Sequence, residues 1–78
     1  MKLSELKEGE KGFIVEIDAR ERDRRRLLSL GFRIGGEVKV VRVGRSGAVA
    51  VETQGCLFAM RRSAASVVEV RGENSSRR

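Results

Sequence analysis

Seventy-eight residues, 40% hydrophobic and 36% charged, with a formal net charge of +6, leave room for one small domain with a single core. The chain has one cysteine, no histidine and no tryptophan, which excludes an intrachain disulfide and any imidazole-based metal or acid–base site. The basic balance suits an acidic protein surface, a nucleic acid or an anionic surface and selects none of them.

Residues 3–8 read as one helical turn, with Ser4 as its cap, Leu3 and Leu6 sharing a face, and Gly9 ending it. Lys11–Ile17 alternates Phe13, Val15 and Ile17, with Ile14 on the other face, which predicts a strand. Asp18-Ala19-Arg20-Glu21 has the form of a capping box and opens a helix. Leu27, Leu28 and Leu30 supply that helix's apolar side, and Glu21 and Arg25 stand four apart in the favourable order. Gly31 sits where a left-handed C′ residue is wanted, with Phe32 falling back on Leu27 in a Schellman ending.

Glu37–Val43 follows the Gly35-Gly36 break as a second strand, its alternation slipping at Val40-Val41, which predicts a bulge. Gly44-Arg45-Ser46-Gly47 is a hairpin turn, Ala48–Thr53 the return strand and Gln54-Gly55 the next turn. Cys56–Arg61 alternates Cys56, Phe58 and Met60 against Leu57, Ala59 and Arg61. Residues 62–66 form a helical turn and 67–70 the last strand, so the domain occupies 1–71 and a polar tail, expected to be disordered, occupies 72–78. Short strands at regular spacing with glycine turns predict a mainly β domain: a small closed barrel of about five strands, one inserted helix and one helical turn. Closure would remove the exposed edges of an open meander.

No residue set carries catalysis. Cys56 has no base to activate it and shares the Phe58/Met60 face, so it is expected to be buried and inert. Ser4-Glu5-Leu6-Lys7 matches S-x-x-K without the further motifs that pattern needs. The glycines form no phosphate-binding loop, and Glu16, Asp18, Glu21 and Asp23 lack a calcium-loop spacing. Arg20, Arg22, Arg24, Arg25 and Arg26 are the strongest charge signal. They suit phosphates, an acidic protein surface or plain solvation; Phe13, Phe32 and Phe58, the only aromatics, all fall at positions expected in the core, which disfavours base stacking. The charged opening is neither a signal nor a transit peptide, and no hydrophobic run approaches the ~20 residues of a spanning helix. With its lone thiol, the chain is expected in the cytoplasm.

The segments LSELKEGE (3–10), RLLSLGFRIGGEV (26–38), FAMR (58–61) and AASVVEV (64–70) together resemble the FeoA family, accessory proteins of ferrous iron transport. The resemblance implies an SH3-like barrel with a helix after the first strand. It also implies a cytoplasmic, non-enzymatic adaptor that acts with the FeoB-type membrane iron transporter. The same domain is similar to the C-terminal barrel of DtxR-type metal-dependent repressors. Transition-metal binding is associated with the family, yet no residue cluster here offers a site, and neither a cofactor nor a small-molecule substrate is expected. The partner-binding residues expected are Arg22 and Arg25 on the helix, with Leu57 and Ala59 on the strand face opposite the core. Weak self-association is compatible with this reading. A nucleic-acid-binding barrel and a metal-sensing module remain the alternatives.

Overall fold

The computed structural model describes residues 1–72. A 3-10 turn, Leu3–Glu5, precedes β1 (Lys11–Ile17), α1 (Glu21–Ser29), β2 (Glu37–Val43), β3 (Ala48–Thr53), β4 (Cys56–Arg61), α2 (Arg62–Ala65) and β5 (Val68–Gly72). The strands form one antiparallel sheet in the order β4-β3-β2-β1-β5. The element order is the expected one. The sheet, however, is not closed: β4 and β5 are its two edges, where closure was expected. The tail expected over 72–78 lies, apart from Gly72 at the end of β5, outside the described residues. No helix among the described residues is long and apolar enough to cross a membrane.

The core lies on the inner face. Ile14, Val38, Val40, Val51, Val68 and Val70 project into it from the strands, and Leu3, Leu6, Leu27, Phe32 and Ala65 close over them. Thr53 is the one buried polar residue among those described, and its hydroxyl donates to the Glu37 carbonyl at 2.7 Å. That bond keeps its burial from leaving an unpaired group.

Strand β1 turns the opposite face inward from the one expected. Gly12 and Ile14 are buried, while Phe13 and Val15 are exposed. The β1–β5 register shifts between Ile14 and Glu16, so Val15 is the extra residue of a bulge and Ile17 returns to the core. A bulge changes the parity of a strand, which is why the alternation of Phe13, Val15 and Ile17 misleads. The bulge expected in β2 is present, with a register shift between Val40 and Arg42.

Both expected N-terminal caps fail. Ser4 does not cap the first turn; the Lys2 N–H donates to the Glu5 carboxylate at 2.7 Å instead. Helix α1 starts at Glu21 with Arg20 at its N-cap and no side-chain cap. Asp18 is held before the helix, its N–H donating to the Val67 carbonyl at 2.7 Å next to the Ile17–Val68 pair. The helix ends as expected: Gly31 has φ +109°, the Phe32 N–H donates to the Leu27 carbonyl and the Gly31 N–H to the Leu28 carbonyl, each at 3.1 Å. Only Leu27 of the helix is buried; Leu28 and Leu30 are exposed.

Candidate partner-docking surface

The surface begins at a two-residue turn. Gln54 and Gly55 both have positive φ, 54° and 77°, the signature of the type I′ hairpin whose twist suits flanking strands. The turn fixes the β3–β4 register without a bulge: Thr53 faces Cys56, Val51 faces Phe58 and Val49 faces Met60. Phe58 and Met60 are partly buried against the core, and the Phe58 ring lies 5.5 Å from that of Phe32. The alternate residues, Leu57, Ala59 and Arg61, therefore occupy the outer face, where Leu57 is 64% exposed. Cys56 shares the parity of Phe58 but is exposed, not buried as expected. It opens an edge strand beside the turn, beyond the reach of the core.

The ladder places neighbours beside Leu57 and Ala59 that the run of helix arginines obscures. Ala59 pairs with Ala50, and Ala50 with Arg42; Ala48 pairs with Arg61. The outer face of β2–β4 is thus a floor of three alanines and Leu57 rimmed by Arg42 and Arg61. Glu52, opposite both Leu57 and Lys39, is its one acid. Beyond Arg61, a shallow cleft forms between the β2–β3 turn at Ser46 and Gly47 and the segment Arg61, Arg62 and Ser63. The Arg62 N–H ties the two sides, donating to the Gly47 carbonyl at 3.0 Å. No ion pair engages Arg42, Arg45, Arg61 or Arg62 among the described residues. Arg42 and Arg61 were missed at the level of sequence. The alternation of Arg61 with Leu57 and Ala59 carried the signal for one of them, and only the register reveals the other.

Arg22 and Arg25 lie elsewhere. Both are exposed on α1, and Arg25 pairs with Glu21 at 2.8 Å. Both side chains of that pair are well exposed, so it contributes little to stability. Helix α1 meets the sheet through buried Leu27 and, at its C-terminal end, through Gly31 beside the Gln54 side chain. No hydrogen bond or ion pair brings Arg22 or Arg25 to β4. A second cleft, lined by Met1, Val15, Glu69 and Arg71, lies over β1 and β5. There the Met1 ammonium donates to the Glu69 carboxylate at 2.8 Å and holds its pKa below the usual value. Among the described residues no three His, Cys, Asp or Glu side chains gather where a metal ion would be held.

The profile of the FeoA domain matches residues 1–72. The chain is similar to a FeoA protein from Chlorobium tepidum, at 38% identity and TM-score 0.86 over 94% of this chain and 70% of that one. It is also similar to zinc-complexed FeoA from Stenotrophomonas maltophilia, at 34% identity and TM-score 0.80 over 91% and 89%. That protein is described as a procaryotic SH3 domain possibly acting as a ferrous iron transport activating factor, and the fold shared with it is SH3-like. A manganese-dependent transcriptional repressor aligns at 21% identity and TM-score 0.84 over 92% of this chain and 36% of its own, a likeness of fold alone. No curated protein matches the chain.

Proposed function

Since this chain belongs to the FeoA family, we propose that it serves ferrous iron transport as a non-enzymatic docking module. Its partner is the cytosolic part of a FeoB-type membrane transporter, and it works in the cytoplasm without a resident metal or cofactor. The observation that carries this reading is the outer face of β2–β4, where Leu57 and Ala59 stand exposed between the unpaired cations Arg42 and Arg61.

Each part of the surface has a distinct physical task. Leu57 is the anchor, because fully burying a leucine side chain contributes roughly 1.5–3 kcal/mol. Ala59 and the alanines beside it let a partner approach closely. Arg42 and Arg61 orient an acidic surface over that floor. Arg22 and Arg25, on the far part of α1, attract the same surface at longer range, an effect screened beyond about 8–10 Å at physiological salt. Charges of this kind act on the association rate and buried apolar contacts on the dissociation rate.

The test is association kinetics with the isolated cytosolic region of the transporter at low and high salt. Leu57→Asp is expected to raise the dissociation rate about tenfold or more. Reversing Arg22 and Arg25 to Glu is expected to slow association and flatten its salt dependence while the fold is kept. Wild-type rates in Leu57→Asp place the docking surface elsewhere, and wild-type rates and salt slope in the double reversal remove α1 from it.

A further inference from the structure

The open edge of β4 carries backbone groups that no further strand pairs among the described residues. A two-residue hairpin makes its closing residues, Thr53 and Cys56, a hydrogen-bonded pair, and such pairs alternate along an antiparallel ladder. The Arg62 N–H donating to the Gly47 carbonyl keeps the same alternation past the end of the strand. The N–H and C=O groups of Leu57 and Ala59 and the N–H of Arg61 therefore point away from β3, toward the edge where no further strand pairs among the described residues. The Arg61 carbonyl stands at the N-cap of α2 and serves the first turn of that helix.

Proteins ordinarily blunt such an edge with proline, a bulge, an inward charge or a covering segment. The segment CLFAMR has no proline and no inward charge, its ladder is unbroken, and no strand covers it among the described residues. We infer that the β4 edge is a strand-addition site that accepts an extended acidic segment of a partner protein. This deepens the docking reading above and rests on it, since the segment would belong to the same partner.

Charge selects the occupant. No Asp or Glu occurs anywhere between Thr53 and Val68, while Arg61 and Arg62 stand at the end of the edge. An added strand would run past both cations and lay alternate side chains beside Leu57 and Ala59 on one face and beside Phe58 and Met60 on the other. Acidic residues near Arg61 and apolar ones near Leu57 satisfy that pattern. A second copy satisfies it poorly: paired antiparallel about Phe58, its own β4 would set Arg61 opposite Gly55 and offer the cations no carboxylate, and each copy carries +6.

The probes are two capped ten-residue peptides, one alternating valine with glutamate and one alternating valine with lysine, added to the full chain at millimolar concentration. The readout is amide hydrogen exchange. The glutamate peptide is expected to slow exchange at Leu57, Ala59 and Arg61 by about tenfold or more, and the lysine peptide to leave it unchanged. Ala59→Pro removes an edge donor that β3 does not use, so it should abolish the protection. If that variant does not fold, Arg61→Glu serves in its place and should reverse the preference between the peptides. Absence of protection at these three amides, equal protection by both peptides, or protection that grows with protein concentration alone overturns the inference, the last in favour of a second copy. The docking reading fails separately. Transporter binding that survives in Ala59→Pro overturns only strand addition. Binding undiminished in Arg61→Glu overturns strand addition and also removes Arg61 from the docking surface, and no binding by the native chain overturns both readings.

Discussion

The two edges of the sheet meet solvent on different terms. At β5 the chain's first residues supply the missing neighbour. The Val70 N–H donates to the Met1 carbonyl at 2.7 Å, the Met1 ammonium reaches the Val70 carbonyl at 3.2 Å, and Lys2 bridges to Glu69. Leu3, fully buried directly after this contact, locks the cover onto the core. At β4 no segment plays that part among the described residues. An open sheet can thus be protected on one side by its own chain and left ready for pairing on the other, and the unprotected side is where a partner gains most from main-chain contacts.

The largest test of this contrast removes the lock. Leu3→Ala should destabilise the domain by about 2–5 kcal/mol, as truncation of a buried leucine does. In the native baseline of that variant, the Val70 amide should exchange faster while the β4 edge amides keep their rates. Equal acceleration at both edges in a two-dimensional exchange spectrum would show that the cover does not act locally. Next in size is Gly31→Val. It forces a β-branched residue to φ +109°, with its Cβ 3.4 Å from that of Gln54, and should cost about 1–3 kcal/mol. An unchanged melting temperature would contradict the positive-φ cap that joins α1 to the turn of the open edge.

Smaller effects follow from single groups at each edge. The fold lowers the pKa of Glu69, chiefly through its hydrogen bond with the Met1 ammonium. The stabilisation linked to that shift is full above the carboxyl's ordinary pKa and is lost as pH falls through the lowered one. Val70 amide protection, referred to the intrinsic rate, should weaken over that acid window, and Glu69→Gln should abolish that dependence. The smallest effect belongs to Cys56. Because it is exposed, Cys56→Ala should change stability by no more than about 0.5 kcal/mol, as surface substitutions do. Its thiol should react with iodoacetamide at nearly the rate of a free peptide thiol. Slow labelling of the native chain would mean that the open edge is covered in solution.

Much of this architecture is legible in the chain because local chemistry and final structure agree there. Gly31 ends its helix as the glycine after an apolar run should, and Gly44 to Gly47 and Gln54-Gly55 turn where they were expected to. What escaped depends on distant partners. The outward turn of Phe13 follows from where β5 pairs, and the lost cap at Asp18 from its bond to Val67. The exposure of Cys56 follows from β4 being an edge, which no property of residues 56–61 announces. The residues proposed for docking divide in the same way. Leu57 and Ala59 were readable from alternation, while Arg42 comes beside them only through two successive ladders.

The turn at Gln54-Gly55 has a consequence for how such a surface could change over generations. Side chains in a strand alternate with period two, so one residue gained or lost in this turn without compensation would rotate every position of β4 to the opposite side. Phe58 and Met60 would be presented outward, and Leu57 and Ala59 would take their places against Phe32. Substitutions adjust this surface one side chain at a time, but a change of turn length exchanges the whole set in a single event. Loop length here is therefore an inherited parity, and lineages that differ by one residue at this point would offer their partners different molecules built from nearly the same sequence.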